Sequence, residues 1–294
     1  MSMALAIPFA TAANPATASG TLSAAEIVEK NVAARGGLQA WRNVQTMVWT
    51  GKIGAGGNQR ATLAVPGPTQ KGSQKLMPSR PAQEAELPFT MDLKRSRKQR
   101  LELEFAGKTA LQVYDGTNGW KLRPYLNRIE VEPYTDAEKK SAAMQSDIDG
   151  PLVDYAAKGT RIELEGNDEV EGRNTYRLKL TMKDGHTMHV WIDAGTFLEV
   201  KMEGQSRRLD GVDHPVEVYY RDYREVNGLQ IPYLLETKVL PVAKTATGLK
   251  DPPVPVEKIV IEKVSVNPKL DDSLFAKPVL TTAANAARPS QVKN

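Results

Sequence analysis

Residues Tyr176–Ile192 read YRLKLTMKDGHTMHVWI, and the order of polar and apolar side chains in this stretch decides the fold class. Tyr176, Leu178, Leu180 and Met182 fall on every second position, as do Met188, Val190 and Ile192 beyond the turn. A side-chain period of two is that of a strand with one buried face. Between the two runs, Lys183-Asp184-Gly185 predicts a two-residue hairpin turn of the Asp-Gly type.

The same signature recurs on both sides of this hairpin. Upstream, Thr46, Val48 and Thr50 alternate with Met47, Trp49 and Gly51, followed by Phe89, Met91 and Leu93 and then Leu101, Leu103 and Phe105. Leu111 and Val113 come next, the turn Asp115-Gly116-Thr117-Asn118-Gly119 delivers Trp120, and Ile129 with Val131 make a short strand. Downstream, Val216, Val218 and Tyr220 lead to an Asn227-Gly228 hairpin signal, with Ile231 to Val239 returning and Ile259 to Val266 closing the series. About ten or eleven strands at hairpin spacing predict an antiparallel meander rather than βαβ units.

Helices are few. Ser23-Ala24-Ala25-Glu26 is a capping box opening a helix with Ile27, Val28 and Val32 on one side, broken at Gly36-Gly37, after which Leu38, Ala40 and Trp41 allow a short turn. Thr135-Asp136-Ala137-Glu138 is a second capping box, before helix formers Lys139 to Ser146, and Leu152 to Ala157 predicts another short helix ending at Gly159. Helices this short are marginal alone, so they are expected to cover the apolar face of the sheet, giving a mainly β (α+β) fold. Two Pro-rich excursions, Ala64 to Pro88 and Leu240 to Pro255, read as long loops, and Thr281 to Asn294 as a disordered tail.

Composition bounds the function. The chain has 294 residues, 40% apolar and 25% charged, which excludes disorder throughout. Its 39 Lys+Arg against 35 Asp+Glu leave a formal charge of +4, without the concentrated basic face of a nucleic-acid partner. The absence of Cys excludes disulfides, a thiol nucleophile, thiolate metal sites and a lipid-modified N-terminal Cys. Residues Met1 to Gly20 are uncharged and apolar, with Ala10-Thr11-Ala12 and Ala16-Thr17-Ala18 as cleavage sites; the basic n-region is missing, leaving a signal peptide or a disordered leader.

No motif points to catalysis. There is no Gly-x-Ser-x-Gly elbow and no phosphate-cradling Gly-rich loop, and carboxylate pairs such as Asp271-Asp272 sit in turns. His186 and His189, three apart on a strand, point to opposite faces, and His214 stands elsewhere, so no metal site or cofactor is expected. The basic run Lys94, Arg95, Arg97, Lys98 and Arg100 sits at a turn between amphipathic strands; it reads as a solvated hairpin tip, or as a surface for an envelope protein or an anionic membrane. The apolar ladders have two readings: a core filled by the protein's own helices, or a sheet curved round a lipophilic ligand. Covering helices that are few, short and Ala-rich favour the second.

A set of ordered motifs carries a resemblance. They are Ala33-Ala34-Arg35-Gly36-Gly37 with Trp41, Tyr114-Asp115-Gly116 with Gly119-Trp120, and Asp149-Gly150-Pro151-Leu152-Val153-Asp154-Tyr155. Glu171-Gly172-Arg173, Trp191-Ile192-Asp193, Asp222-Tyr223-Arg224, Asn227-Gly228-Leu229 and Leu270-Asp271-Asp272-Ser273-Leu274-Phe275 continue them. In this order they resemble the LolA/LolB-like superfamily, of the outer membrane lipoprotein-sorting type, over residues 22–280 as one domain. The resemblance implies a single unclosed antiparallel β-barrel of about eleven strands with helices as a lid, as in that family, and acyl chains held by burial alone, roughly 0.8 kcal/mol per methylene.

The resemblance also implies a non-enzymatic carrier for lipid or lipoprotein acyl groups, periplasmic and secreted across the inner membrane of a Gram-negative bacterium. The alternative is an envelope interaction or sensor module with a self-filled barrel. Mapped by alternation, the implied wall is Phe89, Met91, Leu93, Leu101, Leu103 and Phe105, then Leu111, Val113 and Trp120, then Leu178, Leu180, Val190 and Ile192. The implied lid residues are Met144, Leu152 and Tyr155. The missing Cys sets the chain apart from the lipid-anchored members.

Overall fold

A computed structural model describes residues 22–56, 84–105, 107–124, 128–209, 211–242 and 254–279. The leader, the tail and most of both Pro-rich excursions lie outside the described residues. The chain opens with helices α1 (Ala24–Ala34) and α2 (Leu38–Asn43), and then runs through β1 (Thr46–Gly56), β2 (Glu84–Lys94), β3 (Lys98–Phe105), β4 (Lys108–Tyr114), β5 (Gly119–Arg123) and β6 (Arg128–Pro133). Helix α3 (Asp136–Gln145) follows, and then β7 (Arg161–Val170), β8 (Arg173–Thr181), β9 (Thr187–Asp193), β10 (Glu199–Leu209), β11 (Val212–Val226), β12 (Leu229–Val239) and β13 (Glu257–Val266). A 3-10 turn at Asp272–Phe275 ends the described chain.

The strands form one sheet ordered β6-β5-β4-β3-β2-β1-β13-β12-β11-β10-β9-β8-β7. Every pairing is antiparallel, as the hairpin spacing requires. The edges, β6 and β7, are consecutive in sequence, so the sheet is left open where α3 carries the chain across. The sheet must curl. β2 and β8 stand seven places apart in the order, about 34 Å in a flat sheet, yet Leu93 and Leu178 bury into one cluster with Ile27 and Trp41. Helix α3 ties the two margins together, Lys121 of β5 reaching Glu138 at 2.5 Å and Lys140 reaching Asp184 beyond β8 at 3.3 Å.

Both capping boxes form: the Ser23 and Thr135 hydroxyls each accept the amide three residues on, while Glu26 and Glu138 reach back. The break at Gly36 has a packing cause. A Cβ there would lie 2.2 Å from the Gly228 carbonyl, so only glycine lets the end of α1 rest on the β11–β12 hairpin. That hairpin is the expected Asn-Gly turn, with positive φ at both Asn227 and Gly228.

Four expectations are corrected. Residues 152–157 form consecutive turns rather than a helix, after Gly150 has taken a positive φ of 72° and with Asp154 doing so at 53°. The Lys183–Gly185 hairpin has three loop residues, Met182 N–H donating to the His186 carbonyl at 2.8 Å and Gly185, in the left-handed region, donating to the Met182 carbonyl at 2.9 Å. Strands β7 and β10 lie outside the expected series: in β7 Ile162 and Leu164 alternate with Glu163 and Glu165 but the apolar positions stop at Gly166 and Asp168, and in β10 Gly204 to Arg208 break the rhythm. Residues 84–86, assigned to a loop, belong to β2, and Pro88 pairs with Lys52 of β1 while lying just past the last β2–β3 pair, Phe89 with Leu103, where its missing N–H costs no ladder bond on that side.

Candidate functional site

The inner face is fixed by register, since residues directly opposite in an antiparallel pair share a face. Trp49 faces Met91 and Val264, Met91 faces Leu101, Val190 faces Met202, and Leu235 faces Ile259. At one end this face is filled. Ile27 and Val28 of α1, Trp41 of α2, and Leu152 and Val153 of the turn segment are all buried with Leu93, Leu178 and Ile192. Elsewhere it is only part-covered: Ile53, Met91, Leu101, Leu103, Met202 and Ile259 remain half-buried. These side chains pack against the filled end and leave part of their apolar surface uncovered.

Along the other margin of α3 lies a cavity of about 480 Å³, with Met144 of the helix, Met188, Val216 and Leu240 among its lining and Lys140, His186 and Glu203 at its rim. That volume falls in the range of small-molecule sites, roughly 300–1,000 Å³.

The residues singled out in the sequence divide into three groups. Phe89, Leu93, Leu178, Leu180, Val190 and Ile192 are on the inner face and buried, whereas Met91, Leu101 and Leu103 are on it and half-exposed. Phe105, at the end of β3, is 45% exposed. Leu111, Val113 and Trp120 are corrected to the outer face. Phe105 pairs with Lys108, so odd-numbered positions of β3 stand opposite even-numbered positions of β4: Leu101 faces Gln112, while Leu111 faces Glu102 and Val113 faces Arg100. Trp120 pairs with Val113 and shares its face. The 3-10 turn docks on this outer side, where Arg100 donates to the Leu274 carbonyl at 3.3 Å, and brings buried Leu270 and Phe275.

Of the lid residues, Leu152 is buried in the core, Tyr155 is half-buried against it, and Met144 is 38% exposed at the cavity mouth. The sequence reading missed Ile53, Met202 and Ile259 on the inner face. Met202 stands in the unrecognised β10, whereas Ile53 continues the alternation of Met47 and Trp49 and was within reach.

Charge holds the turn segment in place. Asp149, 2% exposed, meets Arg95 at 2.7 Å and Lys158 at 2.5 Å, and its carbonyl accepts from Arg35 at 3.0 Å. Burial alone would raise the Asp149 carboxyl, but hydrogen bonds from Asp147, Lys158 and Arg95 hold it below its ordinary value. Asp147 is raised, by burial and then by the Asp149 carboxylate beside it. Arg35 also meets Glu199 at 3.2 Å and lies over the Trp41 ring at 4.4 Å. Burial followed by the negative charge of Glu199 raises the hydroxyls of Tyr220 and Tyr223 above the ordinary tyrosine value.

The basic run is mostly spent inside the molecule. Arg95 donates to the Val44 and Trp41 carbonyls at 2.8 Å, Lys94 and Lys98 meet Asp272 at 3.1 and 2.7 Å, and Arg100 meets Glu102 at 2.7 Å. Arg97, with φ of 61°, is exposed. His189 sits between Glu165 at 3.2 Å and Glu203 at 2.8 Å, bridging three strands on the outer face, while His186 is exposed. Among the described residues no group of three or more His, Asp or Glu is placed to hold a metal ion, and no helix is long and apolar enough to cross a membrane.

No protein-family model and no curated protein sequence matches the chain. Solved structures do. A LolA superfamily protein from Nitrosomonas europaea is 14% identical with a TM-score of 0.53, over 87% of this chain and 99% of that one. A DUF1329 family protein from Desulfovibrio piger is 14% identical with a TM-score of 0.50, over 87% and 98%. A domain named for outer membrane lipoprotein sorting, from Vibrio parahaemolyticus, is 12% identical with a TM-score of 0.49, over 86% and 96%. At such identities the likeness speaks to fold: the chain has a LolA-like fold, a mostly antiparallel sheet left unclosed and covered by short helices.

Proposed function

We propose that this LolA-like fold is an extracytoplasmic binding protein that carries a lipophilic ligand, the acyl chain of a lipid or lipoprotein, on its inner face and performs no chemistry on it. The supporting observation is the half-exposed apolar strip from Ile53 and Ile259 through Met91 to Leu101 and Leu103. Burying about ten methylenes there contributes roughly 8 kcal/mol before the cost of association, so capture is reversible and weaker than the micromolar affinity a net value of roughly 8 kcal/mol would give. The uncharged leader Met1 to Gly20, with its Ala-x-Ala sites, supports a periplasmic location, which mass spectrometry of the mature N-terminus tests.

The decisive experiment is uptake of a fluorescent fatty acid, paired with native mass spectrometry of protein gently extracted from cells. Leu103→Glu puts a carboxylate on the strip at a half-exposed position and is expected to abolish uptake with the fold retained; unchanged uptake removes this strip as the binding wall. A second reading, an envelope interaction module with a self-filled barrel, is favoured by the complete burial of Leu178, Leu180, Val190 and Ile192. It predicts no co-purifying lipid, no uptake by the native chain, and capture of a protein partner instead.

A further inference from the structure

The inner face changes character at β3. Next to the apolar strip, and under α3, lies a second cavity of about 180 Å³, room for about six waters at roughly 30 Å³ each. Its lining is amide and hydroxyl: Gln99, Gln112 and Gln145, Tyr114 and Tyr134, and Ser141. Lys121, Arg123 and Glu138 also line it, Lys121 meeting Glu138 at 2.5 Å and Arg123 meeting Glu132, outside the lining, at 2.9 Å through its terminal nitrogen. The site offers many hydrogen bonds and little net charge.

The cavity is built by the fold. The Tyr134 ring lies flat on the backbone of β5, where a Cβ at Gly119 would come within 1.9 Å of it, and Tyr134 N–H donates to the Gly119 carbonyl at 2.8 Å. Tyr114 is fixed by donating its hydroxyl to the Gly116 carbonyl at 3.0 Å. Burial, and then the negative charge of Glu138, raise the Tyr134 hydroxyl above its ordinary value, which keeps it a neutral donor. One donor has no protein partner: Arg123 Nε is buried and unpaired. Buried polar groups are rarely left so, and an oxygen in the cavity would satisfy it. The polar cavity abuts the strip, since Gln112 pairs with Leu101 and the Gln99 amide meets Met91 Sδ at 3.5 Å.

We propose that the inner face is bipartite, and that the cavity beneath α3 receives the uncharged, hydroxyl-bearing head of an amphiphile whose chain lies on the Met91–Leu101–Leu103 strip. This rests on the lipophilic-binding reading above and specifies its ligand. An ammonium head is disfavoured beside Lys121 and Arg123, and a carboxylate head would give up its hydration for the one unpaired Arg123 N–H, whereas a hydroxyl meets that N–H and the amide lining at a smaller desolvation cost.

Three octyl amphiphiles, each below its micellar concentration, separate the possibilities by calorimetry: octyl glucoside, octanoate and octyltrimethylammonium. Octyl glucoside is expected to bind roughly tenfold more tightly than either charged ligand, the worth of one or two neutral hydrogen bonds. In the double variant Gln112→Leu, Gln145→Leu, both positions being exposed, that preference is expected to fall to about twofold with octanoate unaffected. Equal binding of all three ligands by the native chain overturns the proposal and leaves the lipophilic reading standing, as does a preference that survives the double variant. No binding of any octyl chain overturns both.

Discussion

Asp149 carries much of the electrostatics that fixes the turn segment on α1 and the β2–β3 hairpin. It is buried, faces Arg95 and Lys158, and is depressed below its ordinary carboxylate value by them and by Asp147. Removing one partner of a buried, hydrogen-bonded set strands the remaining charges. Asp149→Asn is therefore expected to cost about 3 kcal/mol in urea unfolding, whereas Arg42→Ala, breaking the exposed pair with Asp154, leaves the midpoint nearly unchanged. The pH dependence follows from the direction of the shift. A carboxylate lowered in the folded state contributes its stability fully above the unfolded value, near pH 4, and loses it as the pH falls through the folded value. Asp147, raised, works in the opposite sense and stabilises only in acid. The wild type is expected to lose stability below about pH 4 more steeply than Asp149→Asn; parallel acid limbs would remove Asp149 from this role.

At the scale of the element, strand and turn chemistry was legible and the facing of strands was only partly so. Both capping boxes and the Asn-Gly hairpin are written in contiguous residues and form as read. The facing of β4 is not local. It depends on where Phe105 meets Lys108, and a shift of one residue there exchanges the two faces. Leu111 and Val113 are buried on the outer face, on the side where the 3-10 turn docks on Arg100 of β3, a contact across more than a hundred and fifty residues that no spacing announces. The polar lining under α3 escaped in part for the same reason: Gln112, between Leu111 and Val113, read as outward until register put it inside, whereas Gln99 shares the inward parity of Leu101 and Leu103. The paired substitutions Leu103→Glu and Leu111→Glu test the assignment. The first is expected to leave a folded protein without uptake; the second, at a fully buried site, to cost more than about 4 kcal/mol and collapse the fold. Helix α3 is itself weakly apolar and depends on its cap. Thr135→Ala is expected to cost about 1 kcal/mol, seen as faster amide exchange within α3 while β8 and β9 keep their protection.

The whole molecule behaves as two meanders joined at a seam. Strands β1–β6 run outward from β1 and β7–β13 return to pair with it, so β1 against β13 joins residues as distant as Met47 and Val266. Neither meander can bury its inner face alone, because the core beneath α1 draws Met47, Phe89 and Leu93 from one and Leu178, Val190, Ile192 and Ile231 from the other. One core shared by both implies one cooperative transition, despite a length that suggests two domains. Ile261 sits on the seam, 2% exposed and opposite Gly51. Ile261→Ala is expected to cost about 3 kcal/mol, and because opening is global this lowers amide protection by roughly a hundredfold in β2–β3 and in β8–β9 alike. Loss confined to one meander would mean that the two halves open independently. An equal loss in both ties the stability of the apolar strip to that of the whole sheet, leaving α3, held to both margins by surface ion pairs and a cap, as the element able to move without unfolding the rest.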